Sequence, residues 1–219
     1  MPKSRLATKL DAIQRSITPM LKSRDFRVTG RTYNRLTADG LTQVVNLQMG
    51  SFDPPGTTYI PGLRDNLYGL FTVNLGVYVP EVAGFHGGGE AKSFVREYHC
   101  CLRARLGELG PEHADFWWSI DAGSVASDEL LVRLKRDAFP YFERYESRTQ
   151  IVSELEGHTE NYSSGGPPRI TCAIILARRG ERERARVLLA EQANEPGNPG
   201  HSAYVRELAE RIGVGQLDG

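Results

Sequence analysis

Residues 70–79, LFTVNLGVYV, form the clearest strand pattern in the chain and set the fold class. Apolar and polar side chains alternate along it: Phe71, Val73, Leu75, Val77 and Val79 fall on one side, and Thr72, Asn74, Gly76 and Tyr78 on the other. Such alternation is typical of an antiparallel sheet that is covered on one face only. We therefore expect an antiparallel sheet whose second face carries polar side chains.

The neighbouring segments extend this sheet. Residues 26–52, FRVTGRTYNRLTADGLTQVVNLQMGSF, contain a turn signal at Gly30 and a hairpin signal at Asp39-Gly40. They predict short strands at 26–29 and 31–37 and a longer strand at 41–49. Downstream, residues 97–105, EYHCCLRAR, alternate again and predict another strand.

Helical patterns precede and follow the sheet. An apolar stripe predicts a first helix from near Ser4 to about residue 23, with Pro19 shortening or kinking its end. The stripe consists of Leu6, Leu10, Ile13, Ile17 and Leu21. Later, Ser127 is a good N-cap because acidic residues follow it, and we expect Pro140 to interrupt the helix that it starts.

The C-terminal part predicts a helical hairpin. Residues 169–192 show two helical segments around a turn at Gly180, and a third helix is expected at about 201–212. The small and turn residues match a single tetratricopeptide-like hairpin; they are Ala173, Gly180, Ala185 and Leu189. One hairpin is too short for a repeat array, which needs about three units.

These elements predict an α+β protein with a mostly antiparallel sheet, helices packed on one face, and a small helical C-terminal unit. We place the α+β domain at residues 1–156, a linker rich in Gly, Ser and Pro at 157–168, and the helical hairpin unit at 169–219.

Charge composition limits the function classes. The 219 residues carry 27 basic and 27 acidic side chains, and zero net charge argues against a general nucleic-acid coat protein. Residues 1–36 nevertheless hold nine Lys or Arg against Asp11 and Asp25. This basic first helix keeps nucleic-acid binding open as a second alternative.

The N-terminal sequence and the cysteine pattern indicate the cellular compartment. The start of the chain has no apolar signal region, and no stretch approaches the length of a transmembrane helix. The three cysteines, Cys100, Cys101 and Cys172, show no framework spacing and are expected to be reduced. We predict a cytoplasmic protein without a membrane partner.

Motifs for catalysis, metals or cofactors are weak. The glycine loop at 84–89 lacks the Lys-Ser/Thr ending of a nucleotide-binding loop, and His86, His99, Cys100 and Cys101 lack the paired spacing of a zinc site. We therefore predict no cofactor and no metal. A metal-dependent hydrolase or nuclease remains the first alternative, with His99, Glu90 or Asp115 as acid, base or metal ligand.

Polar residues within the predicted strands are the strongest sign of a binding surface. Amides are costly to bury without partners, so their repetition in apolar strands needs a reason. The face would carry Asn46, Gln48, Asn74, Tyr78, His99 and Arg103, with Trp117 and Trp118 close in sequence to it. We expect it to bind another protein or a polar small molecule; the alternative is an ordinary solvated sheet face.

Three of these segments also carry a family resemblance. GRTYNRLTADGLTQVVNLQMGSF, FTVNLGVYVPE, and CCLRARLGEL with the downstream DFWW resemble a bacterial family, domain of unknown function 4304, over about residues 5–145. The resemblance implies an α+β fold and a cytoplasmic bacterial origin, and it assigns no catalytic residue. Families of this kind are often partners in immunity or phage defence. We expect a binding protein rather than an enzyme.

Overall fold

The structure is a computed structural model that describes residues 4–50, 66–85, 94–156, 167–195 and 199–217. Its helices are α1 (Arg5–Lys22), α2 (Pro80–Phe85), α3 (Ser124–Arg133), α4 (Phe139–Arg144), α5 (Arg148–Leu155), α6 (Pro168–Arg178), α7 (Arg182–Ala193) and α8 (Pro199–Arg211). Its strands are β1 (Arg27–Thr29), β2 (Thr32–Leu36), β3 (Thr42–Met49), β4 (Leu70–Tyr78), β5 (Leu102–Arg105) and β6 (Trp118–Ser119). The α+β class with an antiparallel sheet is confirmed.

Within the described residues the sheet has six strands: β1-β2-β3-β4-β5 follow one another in this order, and β6 pairs with β4. Turns join β1, β2 and β3 in sequence, and Gly30 and Gly40 both adopt the positive φ that such turns favour. Beyond β3, the Gly50 N–H donates to the Leu70 carbonyl at 2.8 Å, which fixes the register with β4. The first four predicted strands are thus confirmed to within about two residues.

Strand β4 is buried on both faces, so the expectation of a sheet covered on one side is wrong at this strand. Its polar residues Thr72, Asn74 and Tyr78 are at most 7% exposed. The reason is visible at Thr72, whose hydroxyl donates to the Phe116 carbonyl at 3.1 Å. A segment 44 residues away in sequence therefore covers the polar side of the strand there.

The predicted strand at 97–105 is correct only in its second half. Residues Glu97–His99 form a turn of 3₁₀ helix, and β5 begins at Leu102. The His99 ring explains the departure, because its Nδ1 accepts a hydrogen bond from the Arg96 N–H at 3.0 Å and caps the turn. This local bond competes with strand pairing.

Helix α1 follows its sequence signals closely. The Ser4 side chain accepts from the Ala7 N–H as an N-cap, and the predicted stripe is buried at Leu10, Ile13, Ile17 and Leu21. Pro19 lies within the helix without ending it, since α1 runs on to Lys22. On the sheet, Tyr33 is fully buried and its hydroxyl bonds to that of Thr18 at 2.7 Å, so α1 covers the Tyr33 face of β2.

The helix predicted to start at Ser127 differs from the prediction both at its start and at Pro140. It begins at Ser124, and the Ser127 hydroxyl instead donates to the Gly123 carbonyl at 3.1 Å. Pro140 does not interrupt it, because a π turn at residues 134–138 connects α3 directly to α4. Proline lacks an N–H and crowds the carbonyl four residues earlier, and the wider turn accommodates both defects.

The chain groups into two compact units. Unit 1 comprises Met1–Arg35, Val44–Leu75 and Ala104–Phe142, and includes the packing of α1 on α3. Unit 2 comprises Leu36–Gln43, Gly76–Arg103 and Glu143–Gly219. In unit 2, α6 packs against α2, α5 and α7, and α7 packs against α8.

The predicted C-terminal helices are confirmed, with Gly180 at a φ of +85° in the turn between α6 and α7. The predicted linker at 157–168 lies almost wholly outside the described residues, so the domain boundary stays a prediction. No helix in the described part of the chain combines the length and apolarity needed to span a membrane.

Candidate binding surface

Four polar side chains of unit 1 form a hydrogen-bonded row across β2, β3 and β4, here named the amide ladder: Thr32, Asn46, Asn74 and Gln48. The Asn46 Nδ2 donates to Thr32 Oγ1 at 2.9 Å. The Asn74 Nδ2 donates to Asn46 Oδ1 at 3.4 Å and to Gln48 Oε1 at 2.7 Å. The sheet therefore brings together three of the predicted site residues, Asn46, Gln48 and Asn74.

Strand alternation and register explain this row. Asn46 and Gln48 lie two residues apart and so share one face of β3. The Leu47 N–H donates to the Arg31 carbonyl at 3.0 Å, which sets Asn46 beside Thr32 on β2. Because the amides bond to one another, Asn74 can be 7% exposed without leaving its donor unpaired.

The ladder ends in solvent at Gln48. This residue is exposed, whereas Asn46 is half-buried. The Gln48 carbonyl oxygen is engaged by Asn74, and its Nε2 group makes no hydrogen bond to any residue that the structure describes. An amide nitrogen carries two donors, so this end of the ladder offers hydrogen bonds to a ligand that brings acceptors.

A second polar group of unit 1 surrounds the predicted residue Trp117. Its Nε1 donates to Asp115 Oδ2 at 3.3 Å, and the Arg105 guanidinium carbon lies 5.3 Å from its ring centre. Arg105 also forms an ion pair with Asp115. Trp117 is half-buried, so one side of this cluster is accessible.

Trp118 belongs to the core of unit 1. It is 3% exposed and stacks on Phe71 with ring centres 5.7 Å apart, as expected from its pairing with Phe71 in the sheet. Its Nε1 is buried and has no hydrogen-bond partner among the described residues. The predicted role of Trp118 in direct ligand contact has no support in this placement.

The other three predicted residues lie in unit 2. Tyr78 is 7% exposed. His99 is half-buried, uses its Nδ1 to cap the turn described above, and packs against the Tyr98 ring at 4.4 Å between centres. Arg103 is half-buried on β5. None of these three takes part in the amide ladder.

Sequence patterns missed two participants, Thr32 and Arg105. Thr32 is fully buried, and a threonine in a strand gives no signal that distinguishes it from an ordinary β-former. Arg105 was visible through its alternation with Arg103, but its pairing with Asp115 depends on a loop that sequence alone does not position.

The environment of the three thiols disfavours nucleophilic attack. Burial raises the pKa of Cys101 and of Cys172 to about 12, and it raises the pKa of Cys100 as well. All three are free and buried, so they are protonated thiols near neutral pH. Among the described residues, no group of three His, Cys, Asp or Glu side chains is placed to hold a metal ion; Glu90 and His86 lie outside those residues.

Comparison with known families identifies one similarity. Residues 64–144 match a family described as Domain of unknown function (DUF4304), which confirms the predicted resemblance over that segment. The match is shorter than the predicted 5–145, and it includes β4, β5 and β6 but not β3. No curated protein and no solved structure matches the chain.

Proposed function

We propose that this protein is a binding protein whose amide ladder in unit 1 recognises hydrogen-bond acceptors of another protein or of a polar small molecule. The observation that carries the proposal is that Gln48 is exposed, Asn74 engages its carbonyl oxygen, and its Nε2 group has no hydrogen-bond partner among the described residues. A fixed amide loses less conformational entropy on binding than a freely rotating one. Carbonyl and carboxylate groups are the complementary ligand chemistry.

The proposal also includes what the sequence predicts about the location and the cellular role of the protein. The protein acts in the bacterial cytoplasm as a partner in immunity or phage defence, a role that a binding surface of this kind would serve. The role of the tetratricopeptide-like hairpin formed by α6 and α7 is to pack against the other helices of unit 2. An enzymatic role would depend on His99, Glu90 or Asp115; His99 Nδ1 is engaged by backbone, and Asp115 is paired with Arg105.

Gln48→Glu tests the proposal sharply. A glutamate keeps the size and the acceptor for Asn74, but it replaces the outward donors with a carboxylate oxygen. Tagged wild type, Gln48→Glu and the matched control Gln216→Glu, at an exposed position, are used to capture partners from native lysate, with mass spectrometry and metabolite analysis. We expect the ligand captured by wild type and by the control to be lost with Gln48→Glu.

The same experiment can contradict the proposal. Retention of the captured protein or metabolite by Gln48→Glu would remove the ladder as the recognition site. Equal melting temperatures of the three proteins establish that loss of binding is not loss of folding. Turnover of a substrate abolished by His99→Ala would favour the enzymatic alternative instead.

A second candidate function rests on a basic surface cavity at the end of α1. The cavity has a volume of about 540 Å³ and is lined by Lys22, Asp25, Phe26, Arg27 and Val28. Two of these five side chains are cationic, and the adjoining helix carries further basic residues. Phosphate groups of a nucleic acid are the ligand chemistry that basic side chains at such a surface favour.

Fluorescence anisotropy with a labelled single-stranded oligonucleotide tests this second candidate. Phosphate contacts release counterions, so affinity should fall steeply with salt, and Lys22→Ala/Arg27→Ala should flatten that slope by about one to two units. Absence of binding at low ionic strength would remove nucleic acid from consideration.

A further inference from the structure

Two arginines of unit 2 converge on a single aromatic ring. The guanidinium carbon of Arg178 lies 5.1 Å from the centre of the Phe85 ring, and that of Arg211 lies 5.8 Å from the same centre. Both distances are within the range of a cation–π interaction. The three residues come from three separate elements, the ends of α2, α6 and α8.

Neither guanidinium forms an ion pair with a carboxylate in the part of the chain that the structure describes. The nearest acidic residue along the chain from Arg178 is Glu181, which already accepts ion pairs from Arg179 and Arg184. Other arginines of unit 2 show the contrast: Arg148 and Arg169 are each bound to carboxylates. Arg178 therefore has no ion-pair partner in that part of the chain, while Glu207 and Glu210 precede Arg211 on α8 without forming an ion pair with it.

The surroundings of the two arginines favour the binding of an anion. Both arginines are exposed, so their forked N–H groups remain open to solvent. Phe85 is half-buried and supplies an apolar wall that positions the guanidinium groups. Guanidinium forks bind planar or tetrahedral oxyanions in a bidentate manner, more strongly than ammonium groups do.

We propose that Arg178, Arg211 and Phe85 form a binding site for a phosphate group of a small molecule. A phosphate monoester carries a charge of about −1.5 to −2 at neutral pH, which matches the two guanidinium charges. A carboxylate balances only one of them. The site lies wholly in unit 2 and is separate from the amide ladder, so it is a second ligand position on this chain.

Isothermal titration with inorganic phosphate, and in parallel with AMP, at constant ionic strength tests the proposal. We expect saturable binding to the full chain, weakened about tenfold or more by Arg178→Ala or Arg211→Ala, since each removes charge-assisted hydrogen bonds. Arg182→Ala is the matched control, an exposed arginine at the start of α7, and should bind as wild type does.

The two probes distinguish the source of the phosphate. Tighter binding of AMP, lost in both arginine variants, identifies a nucleotide or similar monoester; equal binding identifies free phosphate. Phe85→Leu should weaken either ligand without lowering the melting temperature by more than the control does. Absence of saturable binding at millimolar phosphate, or equal affinity in wild type, Arg178→Ala and Arg211→Ala, would overturn the proposal.

Discussion

At the scale of single residues, the fold depends on close approaches that composition does not reveal. Gly76 lies in the middle of β4, and a side chain at this position would collide with Cys100. A Cβ at this position would lie 2.6 Å from the Cys100 Sγ and 2.8 Å from its Cβ. The sequence shows Gly76 only as one member of an alternating run, yet the position has no room for a methyl group.

We predict that Gly76→Ala destabilises the protein by about 1–3 kcal/mol, because overpacking forces the backbone or Cys100 to move. Urea unfolding followed by circular dichroism measures this free energy. Combination with Cys100→Ala is the control, since removal of the sulfur relieves part of the clash and the two effects should be less than additive. Strict additivity would show that the close approach is not the cause.

The amide ladder gives a second prediction at this scale. Asn74→Ala removes the donor that serves both Asn46 and Gln48, and it leaves their oxygens facing a buried methyl group. We expect a loss of about 1–3 kcal/mol in unfolding free energy. Thermal and urea unfolding of Asn74→Ala beside Gln48→Ala provides the comparison, because Gln48 is exposed and its replacement should cost less. Equal costs would contradict a buried role for Asn74.

At the scale of elements, local patterns predicted those parts of the fold that local forces determine. Helix α1 and the strands β1 to β4 follow from apolar periodicity and from turn residues such as Gly30 and Gly40. The π turn at 134–138 and the 3₁₀ turn at Glu97–His99 did not follow, because each reflects a compensation: one for Pro140, the other through the His99 ring. Propensity scales contain no such terms.

Helix α5 is anchored through its first residue, Arg148. Its guanidinium donates to both Glu81 oxygens, at 2.6 and 2.9 Å, and its backbone N–H donates to Asp39 Oδ2 at 2.7 Å. The Arg148 side chain is 23% exposed and that of Glu81 only 11%. One arginine thus connects α2, α5 and the turn between β2 and β3 within unit 2.

We predict that Arg148→Ala lowers the unfolding free energy by about 2–3 kcal/mol, since it strands the partly buried Glu81 carboxylate. Arg184→Ala is the matched control: this exposed arginine also pairs with a carboxylate, Glu156, and its loss should lower the unfolding free energy less than the loss of Arg148 does. Chemical denaturation of both variants measures the difference. Similar losses of unfolding free energy in the two variants would show that burial of Glu81 does not affect stability.

At the scale of the whole molecule, long-range contacts decide which polar residues are exposed, and these contacts limited prediction of the site. Thr72 is covered by Phe116, and the fully buried Gln43 donates to Glu146 at 2.8 Å across 103 residues of sequence. Alternation identified the faces of β3 and β4 correctly. It could not show that the polar face of β4 is buried, nor that Tyr78 and Arg103 belong to a different unit from Asn74.

Because of the buried thiols, the free energy of unfolding depends on pH in the alkaline range. Their ordinary pKa is 9.0, and burial raises it to about 12 for Cys101 and Cys172. Below pH 9 both states hold the protons equally and the thiols add no pH dependence. Between pH 9 and 12 the unfolded chain releases protons that the folded chain retains, so stability falls as pH rises.

We therefore expect the urea midpoint to decline from about pH 9 upward, with a smaller decline in Cys101→Ala/Cys172→Ala. Measurement of the midpoint at half-unit steps of pH provides the test, with the variant as the internal reference. Identical slopes in wild type and variant would assign the alkaline loss to other groups, such as the buried Tyr33, whose pKa is also raised by burial.

The ladder described in unit 1 also constrains how related sequences can diverge. Asn74 satisfies two oxygens at once, so an apolar replacement at 74 is tolerated only when positions 46 and 48 change with it. Chains that share this fold should therefore exchange the three residues as a set, keeping all amides or losing all of them. Correlated substitution at these positions, rather than identity at any one of them, is the evolutionary mark of the ladder.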